Sequence, residues 1–237
     1  MVGFLERLTV KSLSRALAFF PALHASAVLA CAGMSVYQSD RPLAAALWAG
    51  AALTLLYLLP PLLFRCHGRF RPLREGMSLL TGGTYSSWWG GHQLQALYIA
   101  LPPLEAVLRL VPGLYSAWLR LWGAQIGRGV YWTPRVEILD RALVEVGDNV
   151  VFGHCAVLCS HVVFRRDEGL RLYVRRIRIG ANCLVGADTH LGPGTVIAQG
   201  LSIPYGTRAP INQKFVGTAA GKDDPRVDTA AKAEAIL

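Results

Sequence analysis

The chain has 237 residues, 53% of them hydrophobic and 16% charged, with a formal net charge of +9. So apolar a composition, with positive mean hydropathy, excludes an ordinary soluble domain and points to the membrane class. Much of the basic excess borders apolar stretches, which favours anionic lipid over nucleic acid as the partner.

Two stretches carry the apolar bias. Ala16 to Ser39 and Pro42 to Phe64 contain no Asp, Glu, Lys or Arg, and only Asp40 and Arg41 lie between them. Each is long enough to cross a hydrocarbon core of roughly 30 Å as a helix. A second span so soon after the first is not the pattern of a cleaved signal peptide. The expectation for residues 1–64 is an N-terminal segment followed by a two-helix transmembrane hairpin. Arg7, Lys11 and Arg15 precede the first span, and Arg65, Arg69, Arg71 and Arg74 follow the second. The positive-inside rule then places both flanks and everything downstream on the cytoplasmic side of an inner membrane. The cysteines (Cys31, Cys66, Cys155, Cys159, Cys183) form no disulfide framework and fit a reducing compartment.

Residues 65–125 read as an amphipathic helical linker. The paired Trp88 and Trp89 suit a lipid–water interface. The uncharged run Gln93 to Leu104 is too short to span and is interrupted by Pro102 and Pro103. Beyond it Glu105, Arg109 and Arg120 alternate with Leu104, Val107, Leu108, Leu119 and Trp122 at helical spacing. An interfacial or re-entrant layer is the preferred reading; a helical subdomain packed on the next domain is the alternative.

From Ile126 the period changes to six. Ile126, Trp132, Ile138 and Val144 make one run, and Val146, Phe152 and Leu158 a second, displaced by two residues. "FRRDEGLRLYVRR", Phe164 to Arg176, interrupts the pattern. It resumes through Ile179, Val185, Leu191, Ile197 and Ile203, with glycine after the first three and small residues (Ala156, Cys183, Thr189, Thr195) four places after the aliphatic one. Neither a helix near 3.6 nor an amphipathic strand near 2 has this period. A short strand plus a corner does, and repeating it gives a parallel β-helix of hexapeptide repeats, its coils about 4.8 Å apart. This domain is expected over 126–218. The Ala- and Asp-rich tail, 219–237, ends in "VDTAAKAEAIL", readable as a short helix or as disorder.

"VEVGDNVVFGHCAVLCSH", the charged excursion after it and "RIRIGANCLVGADTHLGPGTVI" together resemble the hexapeptide-repeat acyltransferases. The resemblance covers about 90 residues and implies a left-handed parallel β-helix, a homotrimer with active sites between subunits, and acyl transfer from a phosphopantetheine thioester. "FVGTAAGK" stands where maltose-type sugar O-acetyltransferases carry Val-Gly-Asn-Pro-Ala, but without the Asn-Pro. Hairpin and β-helix together look like the membrane-bound C-terminal portions of polylysine-type peptide synthetases, which use a carrier-bound aminoacyl thioester.

Acyl transfer needs a base for the acceptor proton and a donor for the oxyanion. Of six histidines, His24 lies in the first span, His67 and His92 are membrane-proximal, and His154, His161 and His190 belong to the repeats. His161 sits at the root of the excursion and matches the family's catalytic His by position. Asp140, at the two-residue displacement, or Glu168, in the excursion, would fix its tautomer. Asp140 reads equally as a turn cap, and Asp148 as a corner residue. Gly194 is expected to stack one coil from His161 and leave room for a pantetheine arm. Arg165, Arg166 and Arg176, with Arg171, Arg175 and Arg178, would meet the negative charge of coenzyme A or of an acidic carrier protein, or lipid headgroups.

The two Cys and two His of "HCAVLCSH" invite zinc, but Cys155 and His161 take equivalent corners on successive faces and diverge; no metal is expected. Two other classes stay open. One is sugar or lipid O-acetylation from acetyl-coenzyme A. The other is a non-enzymatic, membrane-tethered β-helix scaffold, which would gain nothing from breaking its own repeat at His161.

Overall fold

The computed structural model describes residues 2–80, 85–167, 169–218 and 221–228. The chain forms two compact units: residues 1–73 with 82–100, and residues 74–81 with 101–237.

The first unit is helical: α1 (Val2–Tyr37), α2 (Pro42–Tyr57), α3 (Leu59–Phe70) and α4 (Ser87–Ala100). Two stretches, Leu13–Tyr37 and Pro42–Phe70, are long and apolar enough to cross a membrane. Phe19, Leu23, Leu29, Leu43 and Leu47 lie exposed along them. The second is broken at Leu58, and the sequence explains why. Pro60 and Pro61 lack the N–H groups that would bond the carbonyls of Leu56 and Tyr57. The Tyr98 hydroxyl on α4 donates to the Leu56 carbonyl instead, and His24 bonds the Leu55 carbonyl at 2.9 Å. α4 packs against α1 and α3, so its uncharged face belongs to this helical unit.

The second unit is a parallel β-helix. Its three faces are ladders made mostly of two- and three-residue strands, whose last residue is buried and whose preceding one faces outward. The inward residues stack in columns. Ile126, Val146, Ile179, Ile197 and Phe215 form one. Trp132, Phe152, Val185 and Ile203 form another, and Ile138, Leu158, Leu191 and Ala209 the third. Trp132 and Phe152 stack with centroids 4.4 Å apart and planes 4° apart. Left-handed backbone recurs every six residues at the corners Asn182, Asp188, Gly194, Gly200, Gly206 and Asn212, places where Asn, Asp and Gly are the residues tolerated. Coils approach so closely that a Cβ on Gly186 would lie 2.6 Å from the Ile203 carbonyl oxygen.

Two interruptions break the period without shifting the columns. Between Ile126 and Val146 the coil carries two residues more than the 18 separating Leu191 from Ala209, taken up by a 3-10 turn at Arg141–Leu143. Between Leu158 and Leu191 the excess is a hairpin of strands His161–Arg166 and Gly169–Val174.

The stretch expected as one helical linker, 65–125, divides between the units. Strand Gly76–Leu79 pairs antiparallel with Gly169–Val174 and completes a three-stranded sheet with the excursion hairpin. α5 (Pro103–Arg109) and α6 (Leu114–Trp122) belong to the β-helix unit. α6 buries Tyr115, Trp118, Leu119 and Trp122, and Tyr115 meets Trp132 edge-on at 5.4 Å. The apolar face assigned from sequence to a lipid interface thus covers the open end of the first coil, which would otherwise expose Ile126 and Trp132. In the C-terminal tail, strand Gly221–Asp228 pairs antiparallel with Lys214–Thr218; of the stretch expected as helix or disorder, Val227 and Asp228 end this strand and 229–237 lie outside the described residues.

Candidate functional site

Leu158 is the last inward residue before the excursion. The chain then turns out through Cys159 and Ser160, so His161 opens the hairpin, half-buried. Asp140, only 3% exposed, is the last residue before the 3-10 turn and makes no side-chain cap bond to it. Its Oδ2 lies 2.6 Å from His161 Nδ1 and also accepts the Ser160 N–H at 3.0 Å. The Ser160 hydroxyl donates to the Leu143 carbonyl at 3.0 Å, tying the start of the excursion to the turn that carries Asp140. The structure therefore brings the two expected partners together across 21 residues, with Asp140 orienting the ring. Glu168, the other candidate acid, lies outside the described residues.

Electrostatics follow the geometry. Burial pulls the imidazole down, but its hydrogen bonds to Asp140 and Cys159 and the negative charge of Asp140 outweigh burial and raise His161 to about 10. With Nδ1 committed to Asp140, proton transfer falls to Nε2, the arrangement of a base whose tautomer is fixed by a carboxylate.

Cys159 is the residue of this site that the sequence reading left aside. Its Sγ lies 3.7 Å from His161 Nδ1 and donates to the His161 carbonyl at 3.2 Å. Among the described residues, Asp140, Cys159 and His161 form the one His/Cys/Asp/Glu group whose ligand atoms, all within 4.8 Å, converge enough for a metal. Nitrogen and oxygen ligands on one tetrahedral zinc sit about 3.3 Å apart, given bonds near 2.0–2.1 Å. At 2.6 Å the Nδ1–Oδ2 pair is a hydrogen bond instead. The Cys155–Cys159–His154–His161 set suggested by "HCAVLCSH" is not such a group.

His154 is exposed, and His190 is an exposed neighbour of Asp188 at 3.8 Å; neither joins the site. Asp148 is a corner residue whose Oδ1 accepts the Arg128 N–H at 2.6 Å. Gly194 departs from expectation. Its N–H bonds the Arg175 carbonyl, and the Arg175 N–H in turn bonds the Ser160 carbonyl, so the returning strand lies between Gly194 and the His161 corner. At φ +77°, Gly194 is one of the six-spaced left-handed corners, and a Cβ there would meet Asn212 Oδ1 at 2.2 Å and Arg175 Cδ at 2.9 Å. Its glycine answers to the turn and to these neighbours.

The arginines separate similarly. Arg165 and Arg166 are exposed on the hairpin. Arg175 donates to Asn212 Oδ1 at 3.0 Å, and Arg178 pairs with Glu145 at 3.3 Å. Arg176 donates from Nη1 to the Ala142 carbonyl at 3.2 Å, and its Nε lies 3.7 Å from Glu75.

No family model matches the chain, and no curated protein matches it. Several solved structures are similar to it. A hexapeptide-repeat acetyltransferase from Vibrio cholerae O1 biovar eltor, complexed with acetyl-coenzyme A, is 15% identical at a TM-score of 0.36, covering 54% of this chain and 86% of that one. A galactoside acetyltransferase in complex with coenzyme A is 18% identical at 0.32, covering 55% and 81%. A variant of an N-acyltransferase from Bacillus cereus, in complex with dTDP and coenzyme A, is 11% identical at 0.32, covering 44% and 74%.

Proposed function

We propose that this chain is a membrane-anchored acyltransferase. It moves an acyl or aminoacyl group from a phosphopantetheine thioester, carried by coenzyme A or by a carrier protein, to an amine or hydroxyl acceptor. The observation that carries this reading is the 2.6 Å Asp140–His161 pair at the point where the β-helix interrupts itself. A scaffold has no use for a buried carboxylate that orients an imidazole at the root of an inserted hairpin. His161 Nε2 takes the proton from the attacking amine or hydroxyl as that atom adds to the thioester carbonyl. The tetrahedral adduct then collapses, expelling the pantetheine thiolate, which the protonated imidazole reprotonates. Asp140 stabilises the imidazolium between these steps. Arg165 and Arg166, exposed at the far end of the hairpin that His161 opens, suit the phosphates of coenzyme A or an acidic carrier surface.

In this reading the unit works as a homotrimer. Its two apolar helical stretches hold it in an inner membrane, with the β-helix in the cytoplasm. Anchoring gives no advantage when both substrates are small and soluble, so at least one is held at the bilayer: an amphiphilic acceptor or a membrane-presented carrier. The test supplies acyl-coenzyme A and acyl-carrier donors separately to the purified chain in detergent, with water-soluble or lipid-linked acceptors. Transfer restricted to carrier-bound donor or amphiphilic acceptor supports the proposal. Full-rate transfer from acetyl-coenzyme A to a soluble sugar, unchanged when residues 1–64 are removed, contradicts the membrane part and favours simple O-acetylation.

A further inference from the structure

The turn that carries Asp140 is held from outside the repeat. Arg141, the next residue, is 2% exposed. Its Nε donates to Glu105 Oε1 at 2.7 Å, and a second guanidinium nitrogen donates to the same oxygen. The guanidinium also lies 5.8 and 5.9 Å from the ring centres of Trp118 and Trp122 on α6. Glu105, on α5 and itself 3% exposed, accepts from the Tyr115 hydroxyl at 2.5 Å and from Arg109 at 3.0 Å through its other oxygen. Ala142 and Leu143 are held as well, through their carbonyls, by Arg176 and by Ser160. Every residue of the turn is thus fixed by a side chain from another part of the unit, and Arg141 makes the buried, charged one of these contacts.

We infer that Arg141, clamped by Glu105, is a positioning residue for the Asp140–His161 pair, with Arg176 holding the same turn from the returning strand. The inference rests on the acyltransferase reading for its link to rate, but its physical content is separate: the clamp sets where the Asp140 carboxylate stands relative to His161 Nδ1. A turn of three residues that breaks the hexapeptide period has no ladder partner to fix it. A buried guanidinium with two nitrogens on Glu105 Oε1 supplies that rigidity, since charge-assisted bonds to a carboxylate that Tyr115 and Arg109 hold by its other oxygen leave the guanidinium one position. Release of the clamp lets the Asp140 carboxylate move off Nδ1. His161 then loses the contact that outweighs burial, and its base is no longer oriented. Loss of about an ångström of alignment costs on the order of 100-fold in rate.

The test uses the full chain in detergent, with 15N-labelled histidine. The His161 ring resonance, identified by its loss in His161→Ala, is titrated in the absence of any acyl donor, and transfer rates are measured beside it. Arg141→Met is expected to move the His161 titration down by more than one pH unit. It should also cut the maximal transfer rate about 10- to 100-fold at unchanged donor KM. Arg141→Lys keeps the charge but not the fork and should recover part of both effects. Arg176→Ala, at a side chain one-fifth exposed, should move both readouts the same way by less, and it decides the matter if Arg141→Met does not fold. A folded Arg141→Met, or failing that a folded Arg176→Ala, with His161 titrating as in the parent and a rate within twofold would overturn the inference and leave the clamp purely structural. If the titration moves while His161→Ala still transfers at the parental rate, the acyltransferase reading fails and the clamp stands.

Discussion

Glu105→Ala is the substitution whose cost the structure specifies most closely. Glu105 is the common acceptor for Arg141, Tyr115 and Arg109, in a site where both Glu105 and Arg141 are nearly inaccessible. Removing the carboxylate leaves a guanidinium buried against Trp118 and Trp122 without its counter-ion, a kind of change that costs about 3–5 kcal/mol. It also leaves the Tyr115 hydroxyl without its acceptor, and burial with the neighbouring Glu105 charge already pushes that phenol above its ordinary value. For a chain of this length each kcal/mol moves the midpoint about 2–4 °C, so the β-helix unit should melt roughly 10 °C lower. The informative partner is Glu105→Leu combined with Arg141→Met, which removes both charges and should restore most of the loss. The assay is the loss of β-sheet circular dichroism on heating in detergent. A Glu105→Ala midpoint within 3 °C of the parent, or a double variant less stable than the single one, would refute the assignment of this pair as a buried, mutually dependent clamp.

Other predictions follow from the same geometry. Since the base must be deprotonated and Asp140 raises His161, transfer should climb with pH to a half-maximum well above the 6.5 of an ordinary imidazole, and Asp140→Asn should shift that limb down and cut the maximal rate about 100-fold or more; a limb unmoved in Asp140→Asn would contradict the pairing. Phe152→Ala removes a fully buried ring stacked on Trp132 and should cost about 3–5 kcal/mol, read as a lower denaturant midpoint. Gly186→Ala places a Cβ 2.6 Å from the Ile203 carbonyl, where backbone must shift, whereas Gly200→Ala meets open space and costs only the strain of its left-handed φ, about 1–2 kcal/mol. The first should destabilise clearly more than the second in the same assay.

The period of six is legible in the sequence because every inward position repeats one demand: a large apolar side chain in a column closed on all sides. Ile126, Phe152, Leu191 and Ile203 all answer it. The Asp140–His161 pair was legible for the opposite reason, since both residues stand where the period fails. Elsewhere the same cue says less. Gly194 is a left-handed corner like Gly200 and Gly206, and the backbone alone asks for glycine at such a corner. The apolar stripe of α6 fits lipid or a coil end equally well, and only the arrangement around Trp132 decides. Strand Gly76–Leu79 exists only through pairing with a hairpin almost a hundred residues away, and Glu105–Arg141 spans 36 residues with no periodic trace. The excess of arginine near the site is partly architectural, since Arg175, Arg176 and Arg178 hold Asn212, Ala142 and Glu145.

The central claim is that His161 is the base of an acyl transfer. The measurement that tests it most directly follows the free thiol released when purified full-length protein, parent or His161→Ala, is given a thioester donor and an amine or hydroxyl acceptor, with the assembly state of each monitored alongside. The account predicts acceptor-dependent thiol release by the parent and a loss of about 100-fold or more in an alanine variant that is folded and assembled as before. An alanine variant with the parental rate and assembly would contradict it.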